Sequence, residues 1–169
     1  AYDSANGVTV LFGGYDGSYD DETWTYDAGA NTWTNKAPSS PPSARFKPSL
    51  AYDSANGVTV LFGGYDGSLS DETWTYDVAT NTWTQKSPST KPSVRYRHAM
   101  SYDSANGVMV LFGGSGSTPV YKPDTWTYSL DDNIWTPKGP FPSPSARRGI
   151  DTAYDPESGT TVLFGGYTG

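Results

Sequence analysis

The sequence predicts an all-β chain of short antiparallel strands grouped in fours, and three observations predict it. The first is repetition. AYDSANGVTVLFGGYDGS at residues 1–18 returns unchanged at 51–68, then as SYDSANGVMVLFGG at 101–114 and AYDPESGTTVLFGG at 153–166. A period of about 50 residues marks a modular repeat chain. The second is what lies between the copies: DETWTYDAGANTWT (21–34), DETWTYDVATNTWT (71–84) and DTWTYSLDDNIWT (124–136) alternate threonine with aromatic residues, as strands do. The third is composition. With 19 Gly and 13 Pro in 169 residues, long helices are excluded, and 15% aromatic residues exclude a disordered tract.

The second unit justifies each element in order. Phe46 to Tyr52 extends as strand a, and Asp53 to Gly57 is a turn in which Asn56-Gly57 favours positive φ. Val58 to Phe62 is almost continuously apolar, which suits a strand b covered on both faces. Gly63-Gly64 ends it, allowing a close backbone approach. Tyr65 to Asp71 is a polar loop. Glu72 to Tyr76 alternates as strand c, Asp77 to Asn81 turns, and Thr82 to Thr84 opens strand d. Ser87 to Pro92 links to the next unit. The units run 1–44, 45–94, 95–146 and 147–169 within a single repeat domain.

A four-stranded sheet with two apolar faces cannot bury both alone. Stacking such sheets around an axis solves this, which is the β-propeller. A sandwich is the rival, and it seldom keeps so strict a register. The six tryptophans fall in pairs nine apart: Trp24/Trp33, Trp74/Trp83 and Trp126/Trp135. They are expected as ring pairs between neighbouring sheets. Arg45, Arg95 and Arg147 recur before the first strand of each unit and are expected to tie adjacent units through carboxylates or carbonyls.

These features resemble the kelch repeat over essentially the whole chain. The glycine pairs are Gly13-Gly14, Gly63-Gly64, Gly113-Gly114 and Gly165-Gly166; the spaced aromatics are Tyr26/Trp33, Tyr76/Trp83 and Tyr128/Trp135. The resemblance implies blades with the first strand innermost, rings mostly of six or seven, and protein binding on the face that carries the b–c loops and interblade links. Here that face would hold residues 15–21, 65–71 and 115–123, with 37–44, 87–94 and 138–146. A few relatives are oxidases with copper and a cysteine–tyrosine link. This chain has no Cys and a single histidine, His98, so that chemistry is not supported.

Strand counting gives about three and a fraction blades: three b-c-d sets and an extra a-b pair at the end. Three blades do not close a ring, so two chains completing a six-bladed ring is the favoured expectation. A fragment of a longer propeller, or an engineered or evolutionary model of one, fits the near-identity of units one and two as well. The surplus b strand is the awkward part, because residues 161–165 duplicate 8–12.

A net charge of −7 argues against nucleic acid as a partner, and no apolar run is long enough to span a membrane as a helix. The Ser/Thr/Asn/Tyr-rich surface leans toward an extracellular or cell-surface setting. Acidic side chains crowd the first b–c loop (Asp16, Asp20, Asp21, Glu22) without the spacing of a calcium loop. Calcium there stays a weak alternative to a chain without metal or cofactor. Asp21, Asp71 and Asp124 are read as one recurrent turn position. No catalytic constellation forms. Binding is therefore sought where the units differ, at Tyr19, Leu69, Tyr121, Lys122 and Phe141. The reading is a noncatalytic scaffold or protein-interaction module that associates with itself as a homodimer. A carbohydrate or small-ligand binder and a fragment of a hydrolase or oxidase are the alternatives.

Overall fold

A computed structural model describes residues 1–139 and 141–169. The described residues form β1 (Tyr2–Asp3), β2 (Val8–Tyr15), β3 (Tyr19–Asp27), β4 (Thr32–Asn35), β5 (Ser49–Asp53), β6 (Val58–Phe62), β7 (Thr73–Asp77), β8 (Thr82–Lys86), β9 (Ala99–Asp103), β10 (Val108–Phe112), β11 (Thr125–Ser129), β12 (Ile134–Lys138), β13 (Arg148–Asp155) and β14 (Thr160–Tyr167). Three sheets run β1-β2-β3-β4, β5-β6-β7-β8 and β9-β10-β11-β12, each antiparallel and in chain order, and β13-β14 form a two-stranded sheet. These are blades one to three and a partial fourth. Strand b of blade two is the expected Val58–Phe62 run. Strand a begins at Ser49 rather than Phe46, because Phe46 is engaged in a bridge to Tyr65 and Lys47 takes φ 51°.

The turns carry their own locks. Asp53 Oδ1 accepts the Ala55 and Asn56 N–H groups at 3.0 and 3.1 Å, and Asp3 and Asp103 repeat the arrangement. This is an Asx turn, and the left-handed glycine after it (Gly57, φ 70°) lets the chain reverse. In the c–d hairpin Asn31, Asn81 and Asn133 are left-handed, and each side chain accepts the hydroxyl of the tyrosine five residues earlier, at 2.8 to 2.9 Å.

Blade stacking buries both faces of strand b. Val60, Leu61 and Phe62 are fully buried because blades one and three cover opposite sides. The inner a strands are the ones that meet, β5 with β9 and β9 with β13. The tryptophans divide their work, which corrects the expected pairing of ring on ring. Trp83 stacks on Tyr76 of its own blade at 4.8 Å, packs on Phe12 of blade one at 4.9 Å, and donates its Nε1–H to Thr23 at 3.0 Å. Trp135 does the same to Tyr128, Phe62 and Thr73. The c-strand tryptophans instead donate to carboxylates: Trp24 to Glu22, Trp74 to Glu72 and Trp126 to Asp124. The pairing of Phe62 with Thr73 matches that of Phe112 with Thr125, so Asp124 is the counterpart of Glu72 and Glu22, not of Asp71 and Asp21.

The arginines join blades through two different parts. Arg95 N–H donates to Ser70 and its carbonyl accepts Gly64 N–H, both in blade two. Its guanidinium reaches into blade three, to the Gly113 carbonyl at 3.1 Å and to both Asp124 oxygens at 2.8 and 2.7 Å. Arg45 joins blades one and two in the same way, with Gly63 and Glu72 as side-chain partners. This join is why Gly63 is glycine: besides its φ of 68°, a Cβ would stand 2.5 Å from the Arg95 carbonyl oxygen.

Candidate loop-face binding site

The b–c loops and interblade links come together on one face. After each recurrent arginine stands Phe46, Tyr96 or Arg148, and after each glycine pair stands Tyr15, Tyr65, Ser115 or Tyr167. Bridges Phe46–Tyr65 and Tyr96–Ser115 lock these positions side by side. The result is an aromatic row: Tyr15 to Tyr19 at 5.3 Å, Tyr19 to Tyr65 at 5.8 Å, Tyr65 to Tyr96 at 5.8 Å. The row walls a groove of about 620 Å³ that Leu69, Val120, Arg97 and Arg148 also line. Arg97 lies over the Phe46 and Tyr96 rings at 5.6 and 5.4 Å, and Arg148 over Tyr121 and Tyr167 at 5.3 and 5.6 Å. Cation–π contacts hold both guanidiniums beside the groove.

The sequence candidates separate here. Tyr19 and Leu69 line the groove, and Tyr121 lines the adjoining hollow with Arg97 and Arg148. Lys122 does not face a partner: it is 3% exposed and its Nζ donates to the Thr118 carbonyl at 3.0 Å, bracing its own loop. Phe141 is 99% exposed and stands outside the groove. Phe46, Tyr65, Tyr96, Arg97 and Arg148 were missed by a search for variation between units. Their signal was positional: Phe46, Tyr96 and Arg148 each follow a recurrent arginine, Arg97 stands one residue further on, and Tyr65 follows a glycine pair.

The acidic loop side chains are spent locally. Asp20 accepts Glu22 N–H, Asp66 accepts Ser68 N–H, and Asp71 pairs with Lys91 at 2.9 Å. Among the described residues, no three His, Asp or Glu side chains converge on a point.

His98 lies beneath the face, edge-on to Phe62 at 5.5 Å and beside Gly63. Burial, with the Arg95 charge adding to it, pushes its pKa down to about 3. The unfolded chain protonates this histidine at about 6.5, and the folded one resists until far lower. Its stabilising contribution is thus complete above about pH 6.5 and is lost as pH falls toward about 3. Blade four has Ile150 at this position. Urea unfolding should therefore weaken between pH 7 and 4.5 for the wild type, and His98→Ile should flatten that range.

The chain matches the model of the KLHDC2/KLHL20/DRC7 Kelch-repeats domain over residues 2–169. No curated protein matches it. Strand order, a glycine pair after the apolar run of every b strand, tryptophan-bearing d strands and the domain match agree, and the chain belongs to the kelch-repeat family.

Proposed function

We infer that the chain is a noncatalytic interaction scaffold, completed by self-association, that takes an extended protein segment on its loop face. Kelch-repeat domains generally serve as protein-interaction scaffolds. The observation that carries the reading is the aromatic groove with Arg97 and Arg148 at its wall. Such a surface offers flat apolar area at small entropic cost and two cations for an acidic side chain or carboxylate. It asks for no cofactor. Self-association is supported by the open blade ends, where Trp33 and Phe164 are 50 and 83% exposed although their counterparts Trp83, Trp135, Phe62 and Phe112 in inner blades are buried.

Two measurements test this. Light scattering should give twice the 18.2 kDa of one chain. Peptides selected by display against the purified protein should lose at least tenfold in affinity on Tyr65→Ala and Arg148→Ala. Selected peptides that bind both variants as well as wild type would move the binding surface away from the groove. Preferential capture of oligosaccharides in a glycan array would favour the carbohydrate alternative.

A further inference from the structure

We propose that two copies of this chain exchange strands, so that β13–β14 of one copy and β3–β4 of the other form a single blade. The proposal rests on the self-completed ring inferred above and specifies its joint.

Two orphans point to it. Arg45 and Arg95 each reach a carboxylate at the start of strand c of their own blade, Glu72 and Asp124. Arg147 makes the other contacts of the series, to the Ser145 carbonyl and hydroxyl and to the Gly165 carbonyl, but among the described residues no carboxylate meets it. Glu22 holds the carboxylate position in blade one and accepts from Trp24 and Asn35, with no arginine. Arg147 and the partner's Glu22 complete the pattern.

The tryptophan ladder asks for the same joint. Trp83 donates to Thr23 and Trp135 to Thr73, each one blade back. Continuing the step sets the partner's Trp33 on Thr125 and Phe112. It also sets Phe164 on the partner's Trp83, where Phe12 packs in the single chain.

Exchange, rather than loss of the surplus strands, follows from what each would uncover. Freeing β13–β14 strips Ile150 and Leu163 from Ala99 and Phe112 and breaks the Gly114–Arg147 backbone bond. Displacing the partner's β1–β2 costs far less, because β14 (TTVLFGGY) repeats β2 (VTVLFGGY) at seven of eight positions and can pair with β3 in the same register. The incoming pair also carries an eight-residue inner strand in place of the two residues of β1. Applied twice around a two-fold axis, the exchange gives two composite blades and four intact ones, a closed ring of six.

Hydrogen exchange on the wild-type chain tests the joint without any variant. Amides of 8–12 should exchange fast and those of 160–164 should be protected. Arg147→Glu or Glu22→Arg alone should weaken association at least tenfold, and the double variant E22R/R147E should restore it. A dimer with 8–12 protected and 160–164 fast, or one the double variant fails to restore, overturns the exchange and leaves the self-completed ring standing. A wild-type monomer, or any oligomer other than a dimer, overturns the ring and the exchange together.

Discussion

Trp135→Ala should lower the unfolding free energy by about 4 kcal/mol, the middle of what deleting a buried aromatic costs. The ring is 1% exposed and serves three partners at once: Tyr128 in its own sheet, Phe62 across the interface and the Thr73 hydroxyl. Alanine leaves a cavity between blades two and three and a fully buried Thr73 hydroxyl without its indole donor. Trp83→Ala removes the same contacts one blade earlier and should cost about 3 kcal/mol, because blade one has solvent on its far side. Trp33→Ala should barely move the unfolding midpoint of a dissociated chain, since half of that ring already faces solvent. Its effect should appear in association. Far-UV circular dichroism in urea measures all three without relying on tryptophan emission. Equal costs for Trp135 and Trp33 would refute the directional ladder from each blade to the one before it.

The repeat itself made the blades legible. Val58–Phe62 read as a strand because nothing polar interrupts it except Thr59, which is buried on the ladder. The Asx turns read from Asp53 and Asn56 because those side chains act within three residues of themselves. Residues whose partners lie one blade away were harder. Trp74 and Trp83 look alike in sequence, yet one donates to the carboxylate two residues before it and the other to a threonine 60 residues away. Only the stagger of neighbouring sheets separates these roles. Lys122 misled for a related reason: it sits in an enlarged, variable loop, and the loop folds back over it. The groove residues were hidden by regularity. Phe46, Tyr65 and Tyr96 belong to the repeat pattern, so a search for differences passed over the positions that build the face.

Arg95→Met should cost about 3 kcal/mol at pH 7, the lower end for breaking a buried charge pair, because Asp124 keeps partial access to water. Arg95 is fully buried, and methionine of similar length takes the arginine donors from the Gly113 carbonyl and from both Asp124 oxygens, leaving Asp124 Oδ2 only the Trp126 indole N–H. Arg45→Met should cost less, since Glu72 takes a single bond where Asp124 takes two. The pH dependence identifies the cause. Burial acts to raise the Asp124 carboxyl, and the Arg95 hydrogen bonds and charge outweigh it, leaving the pKa below the usual range. With a depressed folded-state value, the pair's contribution is complete above about pH 4, the unfolded value, and is lost as pH falls through the folded one. In Arg95→Met the burial remains and its largest counterweight is gone, while the Trp126 hydrogen bond stays, so the carboxyl rises from its depressed value and the variant loses less stability in acid than the wild type does. The stability gap between wild type and Arg95→Met should therefore narrow from pH 7 to pH 3.5 in urea titrations. A gap that holds constant across that range would mean that the arginine stabilises by packing its stem between blades, with the carboxylate a bystander.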